Sequence, residues 1–196
     1  MPKIILITHQ KGGVGKSTLT FNLAQNICQN AKVAIIDIDA QGSISQLKGM
    51  NHDFDIINIV KNLEEISSLE YDFVLIDTPP YLSDLLPNLI QMADLILIPT
   101  KAGVLDLLAI GNTIDLIKTQ RKEKDTLIIF NMIKPNTTLT LDILIGVEEY
   151  AISVAKTHIS DLVAFTRSIL LKGVSNNAKA QKQLDNLTKG VLTKLI

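Results

Sequence analysis

The sequence predicts an α/β fold with a mostly parallel central sheet and helices on both faces. Short apolar runs rich in branched side chains are typical of buried parallel strands, and they alternate with segments of helical periodicity. Short connections join these segments, as in a single layered α/β sheet. No repeat, low-complexity stretch or linker interrupts the pattern. We therefore expect residues 1–196 to form one domain with a sizeable core.

The first half of the chain is predicted to begin with a strand, a glycine-rich turn and a helix. In chain order it contains a strand from Ile4, a helix at 16–30, a strand at 32–38, a short strand at 54–59, a helix at 60–68 and a strand at 71–77. The strands at 32–38 and 71–77 are nearly all apolar until a closing aspartate, which is typical of strands buried on both faces.

The second half continues the alternation. Its predicted elements are a helix at 83–92, a strand at 94–98, a helix at 105–120, a strand at 126–131, a helix at 140–150, a strand at 151–156 and helices at 159–172 and 177–195. Gly173 is expected to end the first of the last two helices. In the final helix, four apolar residues at helical spacing predict a narrow stripe that faces the core: Leu184, Leu187, Val191 and Leu195.

Composition limits the classes of function. A single cysteine, Cys28, excludes an internal disulfide and an intrachain cysteine-ligated metal cluster. No apolar run approaches the length of a membrane span and no signal peptide precedes the first strand, so a cytoplasmic protein is expected. Residues 1–150 carry 12 Lys/Arg against 18 Asp/Glu, whereas residues 151–196 carry 7 against 2. The basic end suggests a polyanion partner, and a solvated helix face explains it equally well.

The glycine-rich turn after the first strand predicts a phosphate-binding loop. Three glycines at 12, 13 and 15 precede Lys16-Ser17-Thr18, which begins a helix. Backbone N–H groups and the helix dipole would surround phosphate oxygens, Lys16 would reach the β/γ-phosphates, and Ser17 would ligate Mg²⁺. Gln10 stands where the general P-loop pattern has its first glycine, and a second lysine, Lys11, follows it.

Aspartates follow the second and third predicted strands. Asp37 and Asp39 are two residues apart, and Asp77 ends the third strand. Ligands in open parallel sheets bind beyond the carboxyl ends of the strands. Asp77 is therefore expected near Mg²⁺, and Asp39 or Asp37 would orient the attacking water. Each aspartate alone could instead cap the following helix.

The extra lysine predicts a role across an interface. Phosphoryl transfer commonly uses one more cation to stabilise the transition state. The two arginines, Arg121 and Arg167, are distant from the predicted loops in sequence, so Lys11 is the better candidate. At the mouth of its own loop it is better placed for a nucleotide on a second protomer. This placement predicts dimerisation around ATP.

These residues resemble one known family. The loop KGGVGKST, with its extra lysine, is similar to the deviant Walker A signature of the ParA/MinD superfamily. The segments HQKGGVGKSTLTFNLA, VAIIDIDAQGS, YDFVLIDTPP, IPTKAGVLDLLAI and VAFTRSILLKG follow in the family's order and spacing. The chain therefore resembles a small ParA-type plasmid or chromosome partition ATPase, which implies a P-loop NTPase fold.

The resemblance implies ATP and Mg²⁺ as ligands and an ATP-bound sandwich homodimer in which Lys11 contacts the partner's nucleotide. It implies non-specific DNA binding, a nucleoid-associated location and slow hydrolysis stimulated by a ParB-type centromere-binding adaptor. Thr18 would touch the α-phosphate and Asn131 the adenine. The implied site residues are Lys11, Lys16 and Asp39 for catalysis; Gly12, Gly13, Val14, Gly15, Lys16, Ser17, Thr18 and Asn131 for the nucleotide; and Ser17, Asp37 and Asp77 for the metal.

The chain departs from the family pattern at two points, and the resemblance also implies a DNA-binding surface. Ala40 stands where relatives usually have proline, and the chain lacks the N-terminal helix-turn-helix extension of large ParA proteins, so operator binding is not expected. Lysine contacts to phosphates give sequence-independent, salt-sensitive affinity, and dimerisation would double such a patch. The candidates for DNA contact are Arg167, Lys172, Lys179, Lys182, Lys189 and Lys194.

Two alternatives remain open. A MinD-like membrane ATPase would need a C-terminal amphipathic helix that inserts into lipid, and the ending GVLTKLI is only faintly compatible with one. We therefore expect no membrane partner. A dethiobiotin-synthetase-like enzyme is the other alternative, since its fold and P-loop are related. Iron–sulfur relatives need several cysteines and are excluded by the single Cys28.

Overall fold

The protein is described by a computed structural model that covers residues 1–39, 44–47, 49, 53–57, 62–81, 84–134 and 141–195. Its strands are β1 (Lys3–Ile7), β2 (Val33–Asp37), β3 (Asp55–Ile57), β4 (Phe73–Asp77), β5 (Leu95–Thr100), β6 (Thr126–Phe130) and β7 (Ser153–Val154). Its α-helices are α1 (Lys16–Ile27), α2 (Leu86–Met92), α3 (Val104–Thr119), α4 (Leu141–Glu148), α5 (Val163–Arg167) and α6 (Ala178–Leu195). Two short 3₁₀ helices span Ser45–Leu47 and Leu63–Ser68.

Within these residues the strands form one sheet in the order β3-β2-β4-β1-β5-β6-β7, and every neighbouring pair is parallel. β1 lies at the centre, between β4 and β5. The register places Asp77 beside Ile7 on one side and beside Asp37 on the other. The predicted α/β parallel fold is confirmed, and three of the predicted functional segments end at one edge of the sheet.

The sheet is buried on both faces, which explains the uninterrupted apolar runs. Successive side chains of a strand point to opposite faces. Ile5 and Ile7 therefore pack in a core with α1, α5 and α6, whereas Ile4 and Leu6 pack in a second core with α2, α3 and α4. The β1–α1 connection is thus fixed from both sides, which gives the intervening loop a rigid base.

The C-terminal helix α6 packs against α1, the helix that follows the phosphate loop. Its predicted apolar stripe is confirmed, because Leu184, Leu187 and Val191 are buried and Leu195 packs against the same core. Polar contacts join the two helices as well. Asn26 Nδ2 donates to Thr188 Oγ1 at 2.9 Å, and Gln181 Nε2 donates to Asn26 Oδ1 at 3.1 Å. In the part of the chain that the structure describes, no helix has the length and apolar character needed to span a membrane.

The largest departure from the predicted elements concerns the helix at 159–172. Residues 159–161 instead run beside Ile133, where Asp161 N donates to Ile133 O at 2.7 Å and Ile159 N donates to Phe130 O at 2.9 Å. These tertiary bonds override the local helical pattern, so α5 covers only Val163–Arg167. Gly173 has a φ of +118° and its N–H donates to Ser168 O at 2.8 Å, as expected of a residue that ends a helical turn.

Other boundaries shift by smaller amounts. The predicted strand at 151–156 is reduced to Ser153–Val154, and the predicted helix at 60–68 is a 3₁₀ helix over Leu63–Ser68. β5 continues through Thr100, two residues beyond its predicted end. Ala40, and with it the question of its effect on the loop after β2, lies outside the described residues.

Candidate nucleotide-binding site

The loop between β1 and α1 has the conformation of an anion cradle. Gly13 and Gly15 have φ of +70° and +86°, in the left-handed region that favours glycine. A Cβ on Gly15 would lie 2.5 Å from Asn131 Nδ2, so a side chain here would have to displace Asn131 and would also be strained by the positive φ. No side chain caps the first turn of α1, and no acidic residue lies in it. The free N–H groups and the dipole of this helix end therefore suit a negatively charged ligand.

Lys16 lies within this loop. Lys16 is only 7% exposed, and its Nζ donates to Lys11 O at 3.3 Å. Burial lowers the pKa of Lys16, while the nearby carboxylates of Asp77 and Asp39 raise it. The ammonium group is thus held inside the loop, between the backbone and the aspartates.

Asp77 is more deeply buried than the other aspartates of the site. Thr20 Oγ1 donates to Asp77 Oδ1 at 3.4 Å, and Ser17 also hydrogen-bonds this side chain. The buried Oδ2 has no hydrogen-bond partner among the residues that the structure describes. Burial raises the pKa of Asp77 to about 7; the Ser17 bond and the Lys16 charge oppose the rise, and the neighbouring aspartates add to it.

Ser17 and Asp77 fit a magnesium ion whose remaining ligands include phosphate oxygens. An unpaired buried carboxylate oxygen next to a serine hydroxyl is a suitable protein contribution to such a site. Among the residues that the structure describes, no cluster of three or more His, Cys, Asp or Glu side chains could hold a metal by itself. Ser17 and Asp77 would therefore hold Mg²⁺ only together with a nucleotide.

Asp37 and Asp39 have different surroundings. Asp37 is buried, and its carboxylate accepts three backbone N–H groups, from Asp39 at 3.0 Å, Ile44 at 3.0 Å and Ser45 at 2.8 Å. It therefore fixes the polypeptide on both sides of the loop after β2. Asp39 is partly buried, and its charge acts on Lys16. The site thus brings Asp37, Asp39 and Asp77 to one sheet edge, as expected, while giving each a distinct environment.

Lys11 is held at the mouth of the loop. Its backbone N–H donates to His9 Nδ1 at 2.7 Å, and its Nζ lies 2.5 Å from Asp106 Oδ1. Burial and the charge of Lys16 lower the pKa of His9 to about 4, so its ring is neutral and able to accept at neutral pH. Sequence reasoning missed both His9 and Asp106. No local pattern could have paired Lys11 with a residue 95 positions away.

A cavity of about 160 Å³ adjoins the loop on the side of Thr18. Asn131 forms one wall, and its Nδ2 donates to Val14 O at 2.8 Å, which ties the end of β6 to the loop. The other lining residues come from the loop, from α1, from Met132 and from residues 159–166. The lining residues are Gly15, Thr18, Leu19, Asn22, Asn131, Met132, Ile159, Ser160, Asp161, Leu162, Phe165 and Thr166.

The predicted DNA-contacting side chains are divided between α6 and the region of α5. Arg167 and Lys172 are exposed near α5, and Lys179, Lys182 and Lys189 are exposed along α6. Lys194 is partly buried, and its Nζ donates to Ser153 Oγ at 3.4 Å. A groove of about 490 Å³ between β7 and α6 has three lysines in its lining, Lys156, Lys189 and Lys194. Sequence reasoning did not select Lys156.

We expect Asp77→Asn to stabilise the nucleotide-free protein in a pH-dependent way. The folded-state pKa of about 7 exceeds the ordinary value of 3.8, so the folded protein binds the extra proton and loses stability as pH rises from about 4 to 7. The variant carries no such buried charge. Its advantage in free energy of unfolding should grow by on the order of a few kcal/mol between pH 4 and 8.

Urea unfolding in magnesium-free buffer at several pH values measures this difference. Asp84→Asn is a matched control, because Asp84 is exposed. Its effect on the free energy of unfolding should be small. A constant difference between Asp77→Asn and wild type would contradict the burial of a chargeable carboxyl at this position.

Known proteins are similar to this chain in sequence. The sequence model of the CobQ/CobB/MinD/ParA nucleotide binding domain matches residues 5–172. Maintenance of carboxysome distribution protein A of Halothiobacillus neapolitanus is 27% identical over 185 residues, which cover 87% of this chain and 85% of that protein.

Two solved structures have the same fold. A putative plasmid partition protein of Borrelia burgdorferi bound to AMPPNP superposes with a TM-score of 0.81 at 22% identity, covering 99% of this chain and 100% of that one. The MinD cell division protein of Aquifex aeolicus gives a TM-score of 0.80 at 20% identity, covering 97% of each chain. At these identities the two likenesses show the shared fold alone and favour neither protein's role.

Proposed function

The chain belongs to the CobQ/CobB/MinD/ParA family of nucleotide-binding domains, and we propose that it is a partition-type ATPase whose ATP-bound dimer binds DNA and positions a cargo. The observation that carries this proposal is the presence of two lysines with different environments in one loop. Lys16 is buried inside the loop, whereas the side chain of Lys11 is 39% exposed at its mouth. One lysine serves the nucleotide of its own protomer, and the other reaches the nucleotide of a partner.

In this proposal the loop and the first turn of α1 hold the triphosphate. The N–H groups from Gly12 to Thr18 surround the phosphates, and Lys16 contacts the β- and γ-phosphates. The cavity of about 160 Å³ next to Thr18 and Asn131 receives the adenine. Ser17 and Asp77, together with the phosphates, would hold Mg²⁺, and the ion would neutralise charge on the triphosphate.

The residues of the chain then have separate tasks in hydrolysis. Asp39 lies within electrostatic reach of Lys16 and orients the attacking water. Asp37 keeps the loop that carries Asp39 in place through its three backbone N–H bonds. Lys11 of the second protomer supplies positive charge where charge develops on the phosphates. Closure of the dimer is thus required for turnover.

The exposed lysines of α6 are the proposed DNA surface. Lys182 and Lys189 lie two helical turns apart on the side opposite the buried stripe. A single patch would bind phosphates weakly, and a dimer presents two, so DNA affinity depends on ATP through avidity. A ParB-type adaptor would stimulate hydrolysis and connect the switch to cargo. The Halothiobacillus relative is named for the maintenance of carboxysome distribution, and this supports a cargo-positioning function.

The packing of α6 weighs against a MinD-like membrane role. A helix that inserts among lipids needs an unoccupied apolar face. The apolar face of α6 is buried in the core that includes α1, and its exposed side carries lysines. We accordingly propose a cytoplasmic, nucleoid-associated protein with no membrane partner.

Cosedimentation with DNA and with liposomes, each in ATP, ADP or no nucleotide, tests the proposed function. We expect binding to DNA of any sequence in ATP and Mg²⁺, with little binding in ADP and none to liposomes. Lipid binding without DNA binding would establish the membrane alternative. ATP turnover with a carboxylate substrate, unaffected by DNA, would favour a ligase-type enzyme.

A charge reversal locates the DNA surface. Lys182→Glu/Lys189→Glu should weaken ATP-dependent DNA binding by roughly tenfold or more at 0.1 M salt and reduce the dependence of affinity on salt, because phosphate contacts are lost. Thermal stability should change little, since both residues are exposed. Fluorescence anisotropy of labelled DNA over a salt series measures both effects.

Lys118→Glu/Lys124→Glu is the matched control for this experiment. It makes the same change in net charge at two exposed lysines near α3, whose core lies on the other face of the sheet. It should leave DNA affinity nearly unchanged. Equal losses in the two double variants would indicate a net-charge effect, and an unchanged salt slope in the α6 variant would place the DNA on another surface.

A further inference from the structure

Lys11 is held by its own protomer at two points. Its backbone N–H is fixed by His9 Nδ1 at 2.7 Å, and its ammonium group is paired with the carboxylate of Asp106 at 2.5 Å. Asp106 lies in the first turn of α3. This helix follows β5, whereas the loop of Lys11 follows β1, so the ion pair joins two separate segments of the chain. The side chains of Lys11 and Asp106 are 39% and 14% exposed. The lysine assigned to a partner's nucleotide is therefore already engaged within its own protomer.

The start of α3 presents the Asp106 carboxylate to Lys11. Asp106 N donates to Gly103 O at 2.9 Å, and the carboxylate folds back over Gly103, where a Cβ would lie 2.7 Å from Oδ2. Gly103 is the N-cap and offers no side-chain cap of its own. A negative charge in the first turn is stabilised by the helix dipole. The carboxylate therefore retains a favourable environment after Lys11 has left it.

We propose that Asp106 is a positioning residue that holds Lys11 in the free protomer, so that dimerisation requires Lys11 to move from Asp106 to the nucleotide of a second protomer. This inference rests on the proposed function. A partly exposed ion pair is weak enough to be exchanged. A triphosphate carries more charge than one carboxylate and forms stronger charge-assisted bonds with lysine. The Lys11–Asp106 pair thus sets the protein concentration at which the ATP-bound dimer forms.

Removing the Asp106 charge tests the proposal. Asp106→Asn should dimerise with a non-hydrolysable ATP analogue and Mg²⁺ at a protein concentration roughly 2- to 30-fold lower than wild type. This range corresponds to the loss of two exposed-type ion pairs, one per protomer. The affinity of dilute, monomeric protein for nucleotide should not change, because Asp106 does not contact the proposed nucleotide position. Sedimentation velocity and nucleotide-analogue fluorescence measure the two quantities separately.

Two further variants control this result. Asp115→Asn removes an exposed carboxylate from the same helix and should leave dimerisation at the wild-type concentration. Gly103→Ala retains the charge but displaces the Asp106 carboxylate by direct contact, since a Cβ would lie 2.7 Å from Oδ2. Gly103 has a φ of −118°, which alanine adopts without strain. It should shift dimerisation in the same direction as Asp106→Asn.

A readout in the nucleotide-free monomer separates this inference from the proposed function. Competitive acetylation followed by mass spectrometry should show Lys11 reacting several-fold faster in Asp106→Asn than in wild type, with exposed Lys118 as an internal reference. Unchanged Lys11 reactivity overturns the proposal, as does unchanged or weakened dimerisation in Asp106→Asn. If wild type never dimerises with the analogue while Lys11 reactivity still rises in the variant, the proposed function fails and the holding role of Asp106 stands.

Discussion

Lys16→Ala should lose nucleotide binding almost completely while remaining folded. Lys16 is the buried cation of the loop, and replacing it removes charge-assisted contacts to two phosphates. At about 1.5–3 kcal/mol for each contact, affinity should fall roughly 100-fold or more. Isothermal titration with ATP and Mg²⁺ measures the loss directly.

The fold should tolerate this substitution because, among the described residues, the Lys16 side chain makes one long hydrogen bond, from Nζ to Lys11 O at 3.3 Å. Burial already disfavours its charged form, as the lowered pKa of Lys16 shows. Its loss also removes the cation beside Asp77, so the pKa of Asp77 should rise further. Circular dichroism and thermal unfolding at neutral pH should therefore resemble wild type.

Lys11→Ala should be compared with Lys16→Ala, since it replaces the other lysine of the same loop. It should keep the ATP affinity of the monomer and lose ATP-dependent dimerisation. The two variants together separate a phosphate contact within one protomer from a contact across the interface. Retained ATP affinity in Lys16→Ala would mean that the β1–α1 loop is not the phosphate cradle.

The β1–α1 loop, the parallel sheet and the position of the aspartates beside the loop could all be predicted. The sequence patterns of the loop and strands are local, and the position of the aspartates follows from the parallel pairing of the strands. The glycines that precede Lys16, together with the apolar run before them, specify a strand, a turn and a helix start within 20 residues. Asp37 and Asp77 each end an apolar strand. Parallel strands in register bring such ends together, as the Asp37–Asp77 pairing shows.

The parts that could not be predicted depend on contacts between distant segments. Asp161 donates a backbone hydrogen bond to Ile133, α5 begins only at Val163, and residues 159–162 line the cavity beside Thr18. The periodicity of 159–172 carries no sign of that bond. In the same way Asp37 is a strand-end carboxylate in the sequence, whereas its bonds to Ile44 and Ser45 can be seen only in the folded structure.

Asp39→Ala should bind ATP and accumulate as a dimer that hardly hydrolyses it. Removing a residue that orients or activates water typically lowers a rate by about 100- to 10,000-fold. Asp39 makes its electrostatic contribution at Lys16, and the P-loop N–H groups and Lys16 that hold the phosphates remain in this variant. Phosphate release at saturating ATP, together with sedimentation velocity, measures both expectations.

Asp37→Ala distinguishes the two carboxylates that the sequence left as alternatives for orienting water. Asp37 accepts three backbone N–H groups, so its removal leaves those groups without their carboxylate and frees the loop after β2. This variant should lose thermal stability and bind nucleotide more weakly, in contrast to the stable, ATP-bound dimer of Asp39→Ala. If Asp37→Ala instead gave the stable, inactive dimer and Asp39→Ala turned over ATP normally, the water would be assigned to Asp37.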